Sequence, residues 1–389
     1  MLTREENAGR IARLQKRMTG AGLDGALLVH PIDVYYFSGT RQNAVLWVPT
    51  EGEALLLVRK SLARARQEAP LAEVRPFPPS KEFAAALPET ARSIGLTFDV
   101  LPVAQYNFFA KLLPGRQFND LSAINRELRS VKSPWELERM RRSGAGLCGV
   151  FAQIPEFLQA GMREVDLAAE FEARLRKGGG EGFVRMRAFN QELFMGLAVA
   201  GEGACAPGFF DGAVTGQGMS AAAAHGASAR SIEAGMPVLV DYTGVFDGYI
   251  VDMTRMFVIG SLNPQLQQAF DLALEIQQTV VAELKPGSIC AELFAKAQAL
   301  AEAGGLAQHF MGPPGENAKF VGHGVGLELD EFPVLAQGFN MALVAGQTIA
   351  IEPKFVFPGL GAIGIENTWA VTETGGAKLT DLPDGLICL

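Results

Sequence analysis

Four acidic residues stand where an apolar strand has no use for a charge. Asp241 lies in PVLVDYTGVF and Asp252 in GYIVDMTRMFVI, while Glu352 lies in QTIAIEPKF and Glu366 in GAIGIENTWAVT. A buried carboxylate is costly unless a cation or hydrogen-bond donors compensate it, so each of these acids needs a reason. Between the two pairs stands His323, in FVGHGVGLELDEFP, bracketed by glycines that let backbone and ligands approach closely. Four carboxylates and one imidazole form a hard, oxygen-rich donor set suited to Mn²⁺, Fe²⁺, Co²⁺ or Zn²⁺. Their four negative charges balance two divalent cations. Two such ions roughly 3.5 to 4 Å apart can share a water, lower its pKa and present hydroxide to a carbonyl.

The elements around these residues must bring them together. Asp247-Gly248 between apolar runs predicts a type I′ hairpin in which Phe246 faces Tyr249 and Asp241 faces Thr254. Asp252 then shares the face of Asp241 as its diagonal neighbour, with the carboxylates roughly 5 to 8 Å apart. The strands carrying Glu352 and Glu366 are joined by FPGLG and repeat the arrangement. Ahead of the first hairpin, 196–224 is rich in small residues without a sustained period and reads as a long loop ending at His225, a pocket wall or lid. Ser133-Pro134 predicts a helix start, with a long helix running to about Gln159 across Gly144, Gly146 and Gly149. Further helices are predicted at 165–177, 264–284 and 288–303.

The first third of the chain alternates differently. A helix at 4–20 precedes short strands at 25–29, 44–48 and 53–58, and helix and strand continue in turn to about residue 113. This describes an α/β domain without a glycine-rich phosphate loop. His30 and Tyr35-Tyr36-Phe37 follow a strand, where packing explains them as well as binding does. The charged stretch 125–136 reads as a junction, which sets the expected domains at 1–130 and 131–389. A length of 389 residues supports two domains. With 34 basic against 42 acidic residues and a net charge of −8, nucleic acid is not an expected partner. The N-terminus carries no apolar signal core and no long apolar run occurs, so no membrane is expected and the cytoplasm is the expected compartment. Four cysteines without CxxC spacing indicate neither a disulfide framework nor a thiolate metal site.

These residues resemble the pita-bread metallopeptidases, the family of aminopeptidase P, prolidase, methionine aminopeptidase and the metal-free creatinase. Residues 5 to 125 are similar to its creatinase-type N-terminal domain, above all in YYFSGTRQNAVLWVPTEGEALLLVR, and 133–389 to its catalytic domain. The resemblance implies an α+β protein in which Asp241 binds one metal, Asp252 and Glu366 bridge two, and His323 with Glu352 completes the second site. It implies Mn²⁺ first, with Co²⁺, Fe²⁺ or Zn²⁺ open, and a homodimer. It makes His225 the histidine that contacts substrate or stabilises the tetrahedral intermediate, and Glu352 the proton shuttle. Two places depart from the pattern. Asp330 stands where proline-directed members carry a second histidine, and Gly364 where members that bind a proline carboxylate carry an arginine. Asp330 thereby becomes a candidate pocket residue favouring a cationic group. The implied activity is that of an Xaa-Pro aminopeptidase or dipeptidase acting on short peptides near the N-terminus. A metal-dependent hydrolase or lyase of a small metabolite, and a non-catalytic binding protein, remain the alternatives.

Overall fold

The computed structural model describes residues 1–188 and 193–389, which fall into two compact units, the first built on Met1–Arg129 and the second on Ser130–Arg187 with 193–389. In the first, α1 (Arg4–Gly20), β1 (Gly25–Leu28), α2 (Pro31–Ser38), β2 (Ala44–Pro49), β3 (Leu55–Val58), α3 (Leu62–Glu68), β4 (Glu73–Pro76), β5 (Ser93–Leu96), α4 (Val103–Leu112), β6 (Gln117–Asp120) and α5 (Ser122–Ser130) follow in order. The strands form one mixed sheet, ordered β4-β3-β2-β1-β5-β6. Leu27, Trp47, Leu57, Phe83, Ile94 and Phe109 supply much of its core. The aromatic cluster after β1 belongs to α2, where Pro31 occupies the first turn, and Tyr36 and Phe37 are buried. The Arg10 guanidinium lies 4.2 Å from the Tyr36 ring centroid, a packing contact that accounts for the tyrosine.

The second unit begins with α6 (Pro134–Phe151), α7 (Ile154–Phe157) and α8 (Glu164–Lys177). Ser133 and Glu136 close a reciprocal capping box at the start of α6. The helix ends at Phe151 rather than near Gln159, because Pro155 has no N–H to return to the Phe151 carbonyl and its ring would crowd it. The α6 glycines mark close approach: a Cβ on Gly144 would lie 1.9 Å from the Leu379 carbonyl oxygen, and one on Gly146 would lie 2.4 Å from the Phe246 ring.

Next come β7 (Gly196–Ala200), β8 (Val238–Phe246), β9 (Tyr249–Val258), α9 (Pro264–Ala282) and α10 (Cys290–Ala303). The chain closes with β10 (Phe320–Gly324), β11 (Glu331–Ala336), β12 (Thr348–Ile351), β13 (Lys354–Phe357), β14 (Gly361–Gly364), β15 (Asn367–Thr372), β16 (Gly375–Lys378) and β17 (Ile387–Cys388). One sheet runs β17-β9-β8-β7, a second β11-β10-β12-β15-β16, and β13-β14 form a separate hairpin. The expected loop at 196–224 therefore opens with a strand. Gly196–Ala200 lacks a period of its own and becomes β7 because the free edge of β8 offers it a ladder, Leu197 pairing with Asp241. A side chain at Gly196 would meet the Asp241 carbonyl oxygen at 2.2 Å, so small residues are what this edge accepts. The helices cover the sheets over a core that includes Leu239, Met256, Phe270, Phe294, Ile349 and Phe355.

Candidate metal centre

The β8–β9 hairpin has the register read from its turn. Asp241 pairs with Thr254 and Phe246 with Tyr249, and both turn residues are left-handed, Asp247 at φ 49° and Gly248 at φ 82°. Ser143 Oγ ties the turn down by donating to the Tyr249 carbonyl at 2.8 Å and accepting from Phe246 N–H at 3.2 Å.

The second pair of acids sits at two breaks in the ladder. Ile351 pairs with Asn367, so Glu352 leaves β12 just as Glu366 enters β15, and the β13–β14 hairpin projects between them. Glu366 is held against the first hairpin by its neighbours. Thr254 Oγ1 donates to Glu366 Oε2 at 2.9 Å, and the buried Arg255 guanidinium donates to the Glu366 carbonyl at 3.0 Å and to Asn367 Oδ1 at 2.8 Å. Thr368 does the same for Asp252, accepting from its N–H at 2.8 Å and donating to its carbonyl at 3.0 Å. Two strands from separate sheets are thus stitched together at the acids.

His323 enters from β10, paired with Ala350 of β12. Its Nδ1 lies 2.8 Å from the Leu329 carbonyl, which can only accept, so the proton belongs on Nδ1 and the Nε2 lone pair faces the acids. Nε2 is 3.5 Å from Glu352 Oε1 and 3.8 Å from Glu366 Oε1. One ligating atom each from Asp252, His323 and Glu366 lie within 4.8 Å of one another. Glu366 Oε1 is buried without a hydrogen-bond partner among the described residues. An unpartnered carboxylate oxygen beside a free imidazole lone pair fits a divalent cation.

The other half of the donor set is built differently. Lys354 Nζ lies 2.8 Å from Asp241 Oδ2, 2.8 Å from Glu352 Oε2 and 2.8 Å from Glu366 Oε2, which uses all three N–H donors of the ammonium. Lys354 is only 2% exposed. Burial opposes its charge, but Asp241, Glu352 and Glu366 outweigh it and raise its pKa well above the ordinary value. Burial, reinforced by the charge of Asp241 on Asp252 and of Asp252 on Glu366, holds both of those carboxyls well above the usual carboxylate range. The donor set therefore fits one cation at Asp252, His323 and Glu366, while the space among Asp241, Glu352 and Glu366 already contains a positive charge.

Lys354 is the functional residue that the motif reading passed over. A signal was present: it lies two residues after Glu352 in an apolar run, the spacing that puts two side chains on one strand face.

The two remaining candidates lie outside this cluster. His225 ends a small hairpin in which Gly218 N–H donates to the Gly226 carbonyl and Gly226 N–H to the Thr215 carbonyl. Its ring meets Phe210 edge-on at 5.9 Å. Partial burial lowers its pKa, partly offset by the charge of Asp241, which places the imidazole within electrostatic reach of the centre. Asp330 Oδ1 accepts from the Arg187 backbone N–H at 2.6 Å. Beside it the buried Lys132–Glu331 pair, at 2.7 Å, shapes the turn after His323, since Glu331 Oε1 also accepts from the N–H groups of Leu327 and Glu328.

Residues 138–373 match the model of metallopeptidase family M24, and residues 10–131 that of the creatinase/prolidase N-terminal domain. An Xaa-Pro dipeptidase from Pyrococcus furiosus is 27% identical over 381 residues, covering 95% of this chain and 97% of the relative. Among solved structures, the Xaa-Pro dipeptidase from Bacillus anthracis superposes with a TM-score of 0.84 at 25% identity, covering 98% of this chain and 100% of that one. The prolidase from Pyrococcus horikoshii does so at 0.81 and 26% identity, covering 97% and 100%.

Proposed function

The chain belongs to metallopeptidase family M24, and from that membership we propose that it hydrolyses short peptides next to their N-terminus in the manner of an Xaa-Pro dipeptidase or aminopeptidase. The observation that carries the proposal is the convergence of Asp252, His323 and Glu366, drawn from β9, β10 and the entry to β15, on one point. A divalent cation bound there would supply Lewis acidity to the scissile carbonyl and to the attacking water.

The side chains have separable tasks. Asp252, His323 and Glu366 would hold the cation, and the Leu329 carbonyl keeps His323 in the tautomer that could do so. Glu352, whose Oε1 lies 3.5 Å from His323 Nε2, would take a proton from the attacking water and pass it to the leaving amine. His225, whose partial burial lowers its pKa, is suited to donate a hydrogen bond to the developing oxyanion. Asp330 is the residue proposed to meet a cationic substrate group. Mn²⁺ as the first ion to supply and a homodimer rest on the family resemblance. No helix among the described residues is long and apolar enough to cross a membrane.

A second reading, a hydrolase or lyase of a small metabolite, draws on Gly364, which cannot offer a guanidinium to a substrate carboxylate. One panel separates the two. Xaa-Pro dipeptides, longer Xaa-Pro peptides and non-proline peptides are incubated with the protein and Mn²⁺, Co²⁺, Fe²⁺ or Zn²⁺. Cleavage of the Xaa-Pro bond is expected, and inactivity across the whole panel would remove the peptidase reading.

A further inference from the structure

We infer that the Lys354 ammonium takes the place of one of the two cations for which the family's ligand set is built, so that this chain holds a single divalent ion, at Asp252, His323 and Glu366. The inference rests on reading the site as a divalent-cation centre. It concerns how many ions that centre takes rather than which reaction it performs.

The geometry argues for replacement rather than coexistence. Of the three oxygens around Nζ, those of Asp241 and Glu366 are ones a second ion would need, and each already accepts a hydrogen bond at 2.8 Å, as does Glu352 Oε2. A second ion drawn in among the same oxygens would meet a like charge at contact distance in a water-poor site. With the lysine and one divalent ion the four carboxylates keep a net charge of −1, and a second divalent ion would turn it to +1 with two cations crowded beside the ammonium.

Withdrawal of the side chain is blocked by its surroundings. Lys354 heads β13, where its carbonyl accepts from Met311 N–H at 2.8 Å, and it pairs with Gly364 of β14. Its stem runs against Gly364, where even a methyl group would lie 2.6 Å from Lys354 Cγ. An ammonium leaving this place would have to open the β13–β14 hairpin or be buried without partners, both costly.

The arrangement also divides the acids by task. Glu366 serves the ion through Oε1 and the lysine through Oε2, while Asp241 becomes an anchor for Lys354. Glu352 keeps one oxygen on the lysine and one toward His323.

The test is metal stoichiometry, independent of turnover. The purified full chain is stripped with chelator, loaded with excess Mn²⁺ and desalted, and bound metal is counted by mass spectrometry, with the spin coupling of the Mn²⁺ signal read by electron paramagnetic resonance. One equivalent and an uncoupled signal are expected. Lys354→Gly and Lys354→Met, which free the three oxygens, should bind about twice the metal of the parent and develop exchange coupling between adjacent ions. Should either variant fail to fold, the parent count still decides. Two tightly held equivalents in the parent, none at all, or the same count in parent and folded variants would each overturn the inference. A single equivalent without peptide hydrolysis would leave it standing while removing the peptidase reading.

Discussion

Lys354 and Gly364 face each other across the β13–β14 ladder, and a Cβ on Gly364 would lie 2.6 Å from Lys354 Cγ and 2.6 Å from the Pro353 carbonyl oxygen. The two positions are therefore one feature. An arginine at 364, which the family resemblance leads one to expect for gripping a proline carboxylate, and a lysine at 354 that reaches the carboxylates exclude each other in this register. Gly364→Ala should cost about 1 to 3 kcal/mol of stability through overpacking. Thermal unfolding measures it, and an unchanged midpoint would show that the stem has room to move.

His225 gives a pH prediction with a definite sign. Its folded pKa lies below the ordinary 6.5, chiefly through burial. Between the folded value and 6.5 the unfolded chain binds the extra proton, so the contribution of this residue to stability is complete above about pH 6.5 and is lost as the pH falls toward the folded value. Proton NMR of the histidine ring resonances, assigned by the signal lost in His225→Gln, should place the midpoint below 6.5. A midpoint above it would contradict the lowered pKa of this half-buried imidazole.

The turn after His323 is predicted to depend on Lys132. Lys132→Met leaves the buried Glu331 carboxylate without the ammonium 2.7 Å away and should cost about 3 to 5 kcal/mol. Lys132→Met combined with Glu331→Gln should recover part of that loss, because no uncompensated charge remains. Denaturant unfolding of the two variants and the parent checks both statements.

Asp330 is tested as a specificity residue by Asp330→His and Asp330→Asn. The asparagine retains an acceptor for Arg187 N–H and should keep the local fold. If Asp330 meets a substrate amine, both changes should raise KM for peptides with a free N-terminus by about tenfold and leave N-blocked analogues less affected. Equal effects on blocked and free peptides would assign Asp330 to the turn alone.

Much of this architecture is legible before any coordinates. The Asp247-Gly248 turn sets the hairpin register because only a narrow set of residues tolerates two left-handed positions in succession, and Asp241 opposite Thr254 follows by alternation. The acids at 352 and 366 are visible as charges in apolar runs, but each stands at a break beside a strand rather than within one. What stays hidden depends on contacts distant in sequence. The strand Gly196–Ala200 exists because β8 has an open edge, and the Pro155 break in the long helix is overlooked when glycines hold the attention. Lys354 is hidden for a related reason: its direction is set by the ladder with Gly364, and a lysine near a strand end ordinarily reads as a solvated one.

The measurement that bears most directly on the whole account is peptide hydrolysis followed against bound metal. Chelator-stripped protein is titrated with Mn²⁺, and the rate on an Xaa-Pro dipeptide is recorded at each loading. No rate is expected in the stripped protein, and with metal the rate should climb with the first equivalent and then level off. A stripped protein that still cleaves, or one that stays inactive until a second equivalent is bound, would contradict this.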